Sequence, residues 1–426
     1  MTRGGALRII LVGDTYLPER AAGAVRASEL AQRWRERGQE VTVVTGNPHY
    51  PEGKIFPGYP NALFRRDEIH GVLVHRVFTV PYARSAIAKR IVNQLLFAFL
   101  PALVDHAGAA DVVVATSPPL TIGVAGWLMA RRRGVPLVFD VRDLYPASAV
   151  AAGVLREGPV LRAFEALEKI VYGRAARIVA VTGTLAREIV AQGVPESKVS
   201  VIPNGANTER FRPAPRDPAV RARYGIAEDA FLAGYVGLMG RMHGAEVIVE
   251  AAKRLQGDPR IHFLLVGGGS DRSRMEARAK EARLTNVTFG ASIPQAEVPG
   301  VLCACDAGVA TLADTPLTRG SLPVKAFEQM ACALPVVLSG AGEFEEIVRG
   351  AGVGITVPPG DGEALARAVC ALADDPAGAR AMGEKGCAFV EARYDRRSLA
   401  DAYLDILRQA AAAGPAGCAG SEEPDP

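Results

Sequence analysis

Residues 321–339 read Ser-Leu-Pro-Val-Lys-Ala-Phe-Glu-Gln-Met-Ala-Cys-Ala-Leu-Pro-Val-Val-Leu-Ser. Pro323 is favoured near a helix's first position, Lys325 and Glu328 are three apart and share a helical face, and Ala333-Leu334-Pro335 ends the helix. The apolar Val336 to Leu338 then reads as a buried strand. A helix running straight into a buried strand is the unit from which α/β folds are wound. Its first turn also suits a ligand. The free N–H groups and the helix dipole favour a phosphate, and Lys325 adds a full positive charge. Glu328 can only accept hydrogen bonds when ionised, so its natural partner is a pair of sugar hydroxyls such as a ribose. Two solvated charges on an ordinary amphipathic helix explain this segment equally well, so its surroundings have to decide.

Outward from this unit the same rhythm recurs. Strand-like runs at Arg8 to Val12, Glu40 to Thr45, Asp111 to Ala115, Leu137 to Asp140, Arg177 to Val181 and Val199 to Ile202 alternate with helical patterns. The rhythm restarts at Phe231 to Val236, with further strands at His262 to Val266, Val287 to Phe289, Ala307 to Thr311 and Val336 to Leu338. This predicts two doubly wound α/β domains with parallel sheets, as the 426-residue length also suggests. Between them Asn207 to Pro218 is rich in proline and charge without sustained period, and reads as a linker. The expected boundaries are 1–207 and 208–396, a helix at 397–412, and a disordered end at 413–426.

Composition narrows the function. Lys plus Arg of 49 against Asp plus Glu of 46 gives a net charge of +3, with no basic tract, which argues against a nucleic-acid partner. The six cysteines (Cys303, Cys305, Cys332, Cys370, Cys387, Cys418) include no C-x-x-C pair and no histidine at ligand spacing, so reduced thiols and no metal site are expected. The start, Met1 to Gly5 leading into a strand, leaves no room for a three-part signal peptide, and Thr116 to Pro119 interrupts the longest apolar stretch. A cytoplasmic protein is expected, and the high Ala, Arg and Gly content suits a GC-rich bacterial genome.

Ligands of doubly wound sheets sit at the carboxyl ends of the strands. The loops there are Gly13 to Gly23, Val141-Arg142-Asp143-Leu144-Tyr145-Pro146, Gly237 to Gly244 and Gly267-Gly268-Gly269. Turn chemistry explains Gly23 as well as close approach to a ligand does, and a surface salt bridge explains Arg142 with Asp140 and Asp143. A dinucleotide fingerprint is missing, because Gly13 and Gly23 lack the Gly-x-Gly-x-x-Gly spacing and the second strand ends at Thr45 rather than an acid. There is no P-loop motif either.

With Gly38 to Thr45, Asp140 to Pro146, Val201 to Phe211, Leu265 to Gly269 and Pro323 to Ser339 in this order, the chain resembles the family 4 glycosyltransferases, in particular members that build polysaccharides and glycoconjugates. The resemblance implies the GT-B fold, two Rossmann-like doubly wound parallel-sheet domains facing each other across a cleft, with acceptor bound by the first and nucleotide-sugar by the second. It implies a retaining, metal-independent transfer from a UDP- or GDP-sugar, which serves as co-substrate with no further cofactor, to a hydroxyl-bearing small-molecule or lipid-linked acceptor. Glu328 matches the family's ribose-binding glutamate, Gly23 its glycine near the diphosphate, and Gly267 to Gly269 part of the nucleotide cradle. Lys325 serves the leaving phosphate, and Asp140 or Asp143 orients acceptor or donor ring. Two departures stand out. The family's Arg and Lys are replaced by Leu238 and His243 in the loop that also holds Gly237 and Arg241, and its first glutamate by Gly320, with Arg319 or Ser321 as substitutes. A nucleotide-sugar epimerase of similar fold and an inactive sugar-nucleotide-binding protein are the alternatives. Finally, residues 84–100 set Arg84, Lys89 and Arg90 before an apolar run containing Phe97, Phe99 and Leu100, which fits either a core helix or contact with an anionic membrane at its inner face.

Overall fold

The computed structural model describes residues 5–19, 21–83, 86–104, 106–151 and 157–415. The chain folds into two compact units, one of Met1–Pro203 with Ala400–Pro426 and the other of Asn204–Leu399. The expected 207/208 boundary lies a few residues beyond this division. Arg84, Cys418 and most of the expected disordered end, 416–426, lie outside the described residues.

The first unit is an eight-stranded sheet. Its strands are β1 (Arg8–Val12), β2 (Glu40–Gly46), β3 (Phe64–Ile69), β4 (Val72–Val77), β5 (Val112–Thr116), β6 (Leu137–Val141), β7 (Arg177–Ala180) and β8 (Val199–Val201), in the order β3-β4-β2-β1-β5-β6-β7-β8. The central strands are almost wholly apolar because helices cover both faces: Val12, Val112 and Val113 are completely buried. Three of those helices matter below: α1 (Ala22–Glu36), α2 (Ile87–Leu103) and α3 (Thr121–Arg133). All pairings are parallel except β3 with β4. That edge hairpin escapes the sequence rhythm because Arg65, Arg66, Asp67 and Glu68 give β3 a polar face. Its two-residue turn, His70-Gly71, has both φ angles positive, 52° and 73°, as a hairpin turn of matching twist requires.

The second unit holds β9 (Phe231–Val236), β10 (Ile261–Val266), β11 (Val287–Gly290), β12 (Ala307–Thr311), β13 (Val336–Ser339) and β14 (Gly354–Val357), in the order β11-β10-β9-β12-β13-β14. Every pairing is parallel. Only β14, a short half-buried strand, is absent from the sequence rhythm. Winding reverses between β9 and β12, so the carboxyl ends of these two strands flank the switch-point crevice. The helix Val324–Ala331 connects β12 to β13 and buries Ala326, Phe327, Met330 and Ala331. It begins one residue after Pro323, which caps it, and Ala333, at φ 58°, turns the chain into β13.

Candidate active site

In the second unit the switch point is built around Lys325. Its ammonium lies over the Tyr235 ring, 4.0 Å from the centroid, and donates to the Tyr235 hydroxyl. That hydroxyl donates in turn to the Leu238 carbonyl, 2.7 Å away, fixing the loop after β9. A Cβ placed on Gly237 would stand 3.5 Å from Lys325 Nζ, so the ammonium rests directly beneath this glycine. Burial lowers the lysine to about 7, against the opposing attraction of Glu328.

The loops after β9 and β10 run against each other. The Gly237 amide donates to Val266 O at 2.9 Å and the Met239 amide to Gly268 O at 2.7 Å. Gly267 and Gly269 have φ of 145° and 143°, and a Cβ on either would collide with the carbonyl oxygen of Gly237 or Met239. Their first role is therefore to let the two loops touch, with any nucleotide meeting the paired loops rather than three bare glycines. Of the other expected residues, His243 is half-buried with its amide bonded to Gly240 O, and Arg241 is exposed. Ser321 donates to Leu317 O at 3.0 Å, and Arg319 is exposed and paired with Asp314 at 3.0 Å. The structure thus groups Gly237, Lys325 and Glu328, and commits the hydroxyl of Ser321 and the guanidinium of Arg319 to their own turn.

Two residues essential to this geometry were invisible as site residues. Tyr235 reads as an ordinary strand aromatic. Gln329 is fully buried, and its amide donates to Gly234 O on β9 (3.3 Å) and Val309 O on β12 (3.0 Å), tying the strands where they part. A glutamine on a helix face otherwise made of Ala, Phe and Met was the available signal.

In the first unit, the surroundings of Asp140 and Gly23 differ from those the sequence suggests. Asp140 at the end of β6 is 1% exposed, accepts from Thr116 Oγ1 at 2.7 Å and pairs with Arg26 of α1 at 3.3 Å. Arg26 also donates to the carbonyls of Ile202 and Pro203. This acid ties the carboxyl ends of the sheet to α1. Gly23 lies inside the first turn of α1 rather than in the loop before it. A Cβ there would stand 2.6 Å from the Arg142 guanidinium, so the glycine makes room for a buried cation beside a helix N-terminus with no acid in its first turn and no side-chain cap. Burial pulls Arg142 below its ordinary value, opposed by Asp140. Asp143 is half-buried, and burial raises its carboxyl against hydrogen bonds from Ser148 and the Leu144 amide. The long loop after β1 carries a polar cluster of its own. Asp14 accepts from Tyr82 at 3.0 Å and Asn93 at 3.4 Å, and Glu19 caps the His49 and Tyr50 amides at 2.9 and 2.8 Å.

Comparison with known proteins agrees with this geometry. Residues 22–205 match the Glycosyl transferase 4-like domain and residues 217–388 the Glycosyl transferases group 1 model. A D-inositol 3-phosphate glycosyltransferase from Streptomyces bingchenggensis is 31% identical over 80% of this chain and 76% of its own length. The chain is a family 4, group 1 glycosyltransferase. This glycosyltransferase is also 26% identical, over 66% of its length and 71% of the relative's, to the putative colanic acid biosynthesis glycosyl transferase WcaI of Escherichia coli. Among solved structures, sucrose-phosphate synthase from Thermosynechococcus elongatus superposes with a TM-score of 0.71 at 22% identity, covering 95% of this chain and 99% of that one. Anabaena HepE in complex with UDP-glucose gives 0.71 at 18%, covering 95% and 100%. Both units of this glycosyltransferase are therefore Rossmann-like domains of the GT-B type.

Proposed function

We propose that the enzyme is a retaining, metal-independent transferase that moves a sugar from a UDP- or GDP-sugar to a hydroxyl of a small-molecule or lipid-linked acceptor, in polysaccharide, glycolipid or natural-product assembly. The observation that carries this reading is the Lys325 ammonium beneath Gly237 at the switch point of the second unit. A departing nucleoside diphosphate develops charge on its phosphate oxygens, and a fixed cation with helix N–H groups stabilises that charge without reorganisation. Metal independence rests on this built-in cation. Glu328, one turn further along the same helix, takes the ribose hydroxyls. The loop pair after β9 and β10 lines the nucleotide, with Arg241 and His243 at its end. In the first unit Arg142 and the N-terminus of α1 offer a second anion site beside Gly23, and Asp143 orients acceptor or donor ring. Retention follows if the leaving phosphate itself accepts the acceptor's proton, which spares the protein a strong base. UDP- and GDP-sugars incubated with hydroxyl acceptors test this, with product anomers read by NMR. An inverted anomer, a divalent ion requirement restored after chelation, or an isomerised sugar formed without acceptor each overturns part of the reading.

A lipid-linked acceptor would be met at the inner face of an anionic membrane through α2. Phe97 and Leu100 are buried, as a core helix demands, whereas Ile91, Val92, Leu95, Phe99 and Leu103 are exposed on the other side of the same helix. Ile91, Leu95, Phe99 and Leu103 are four apart and so form one stripe. Lys89 is exposed near the start of α2, and at its end Arg132 donates to the Ala102 carbonyl. A cavity of about 390 Å³ there is lined by Arg66, His106, Arg132 and Arg133 with no acid. No helix of the described residues is long and apolar enough to cross a membrane. Sedimentation with anionic vesicles is expected, reduced at least tenfold by the pair Leu95→Glu and Phe99→Glu. Equal binding of that variant refutes the contact.

A further inference from the structure

The first unit has a switch point of its own. Its strands run β2-β1-β5-β6, so winding reverses between β1 and β5, and the carboxyl ends of these two strands flank a crevice. The helix α1 starts there after β1 and α3 after β5. Arg142 reaches across. It follows β6, its amide donates to Ser117 Oγ beyond β5 at 3.4 Å, and its guanidinium ends at the first turn of α1, where a Cβ on Gly23 would meet Nη1 at 2.6 Å. Among the described residues no hydrogen bond reaches that guanidinium, and its Nε is closed off from solvent without a partner. Donors withdrawn from water are normally hydrogen-bonded, so this arrangement calls for an acceptor of hydrogen bonds.

The nearby acids are engaged elsewhere. Asp140 holds Thr116 and Arg26, and Asp143 accepts from Ser148 and the Leu144 amide. The first N–H groups of α1 have no partner within the helix, and neither a side-chain cap nor an acid in the first turn serves them. At the start of α3, Thr121 is 3% exposed and its Oγ1 also lacks a partner. A fork of guanidinium N–H groups beside the positive end of a helix suits a tetrahedral oxyanion, which can accept from both at once. In the second unit a donor diphosphate has a cation and a helix start at Lys325. The anion left for the first unit is one on the acceptor.

We propose that the acceptor carries a phosphate group and that Arg142, with the first turn of α1, binds it; this rests on the reading of the first unit as the acceptor domain. A sugar phosphate and the phosphate-bearing head of a lipid carrier share this chemistry. To test it, the full chain is titrated calorimetrically, without donor, with glucose 6-phosphate, geranyl diphosphate and glucose, and separately with UDP. The first two probes distinguish a sugar phosphate from a lipid-borne one. At least one is expected to bind about tenfold more tightly than glucose, equally well in Lys325→Met, and about tenfold more weakly in Arg142→Gln, as loss of a charged hydrogen bond predicts. The affinity of Arg142→Gln for UDP is expected to stay within about twofold of the wild type, since UDP is assigned to the other unit. Gly23→Ala sets a methyl group against Nη1 while keeping the charge, and is expected to weaken the phosphate probe too; it tests the site should Arg142→Gln not fold. A chain that binds the phosphate probe but not UDP upholds this site and refutes the donor reading. Equal binding of glucose and both phosphates, no binding of either phosphate, or unchanged affinity in Arg142→Gln and Gly23→Ala overturns the proposal. So does a loss of UDP affinity in Arg142→Gln as large as the loss for the phosphate probe, which would assign Arg142 to the donor diphosphate.

Discussion

Burial beneath Gly237 and against Tyr235 brings the Lys325 ammonium down to about 7, so in the free enzyme at pH 7 roughly half of these lysines carry a proton. A bound diphosphate favours the charged form and raises that value, so binding above pH 7 must be accompanied by proton uptake. If only the protonated form binds, apparent affinity falls with pH as one plus ten to the power of pH minus 7. That is about 30-fold between pH 6 and 8.5, or about 2 kcal/mol. The ligand pulls the other way, because a terminal phosphate loses its last proton near pH 6 and becomes the better anion as pH rises. A decline above pH 7 therefore belongs to the protein. Stability moves oppositely. An unfolded lysine keeps its proton up to about 10.4, so the unfolded state binds more protons between about 7 and that value, and the free fold gains stability as pH rises through this window. Calorimetry of UDP or GDP binding at pH 6.5 to 8.5, in buffers of different ionisation enthalpy, reads affinity and proton uptake together. Lys325→Arg, which stays charged, should flatten the profile, and Lys325→Met should weaken binding at every pH. Constant affinity above pH 7 with no proton taken up refutes the reasoning.

Three further outcomes follow from the geometry. Gly269→Ala forces a side chain into a φ of 143° and against Met239 O, and should destabilise the second unit by about 2–4 kcal/mol in urea titration; a cost below about 1 kcal/mol contradicts the loop packing. Arg26→Leu strands the buried Asp140 and should cost about 3–5 kcal/mol, whereas Arg26→Leu with Asp140→Asn should recover a large part of it, a difference that double-mutant unfolding measures. If Glu328 holds ribose hydroxyls, the wild type should bind UDP about ten times more tightly than its dideoxyribose counterpart and Glu328→Ala should bind both alike; equal affinities in the wild type remove that role.

The fold was legible because a buried parallel strand has to be apolar along its whole length, and a strand followed by a periodic helix repeats that signal many times. The hairpin β3–β4 and the strand β14 lacked it: one is an edge with a charged face, the other is short and half-buried. For the site, residue type was readable and orientation was not. Lys325 and Glu328 stood out by their spacing at a helix start, and the structure sets Lys325 beneath Gly237 and against Tyr235. Asp140 carried the same chemical promise at a strand end, yet whether a carboxylate faces a ligand or a neighbouring arginine depends on Arg26, more than a hundred residues away in sequence. Gly23 likewise reads as a loop glycine until the helix start is fixed and Arg142 is seen beside it.

The departures from the family pattern acquire a physical account from Tyr235. Where members carry two cations in the loop after β9, this chain has Leu238, 41% exposed, and a half-buried His243. With those cations gone, a lysine left in water would hold a diphosphate weakly, since exposed ion pairs contribute little. Lys325 is instead withdrawn from water, laid on an aromatic face and bonded to a hydroxyl that is itself anchored on the Leu238 carbonyl. Burial strengthens its attraction for an incoming anion and at the same time lowers its own proton affinity. If Lys325 holds the donor diphosphate, a single desolvated cation replaces two solvated ones, but only by making donor binding sensitive to pH near neutrality, which a loop with a permanently charged arginine avoids. Restoring such a cation with Leu238→Arg should shift the pH at which affinity halves upward, and an unshifted profile would mean that Lys325 and the loop act on different parts of the nucleotide.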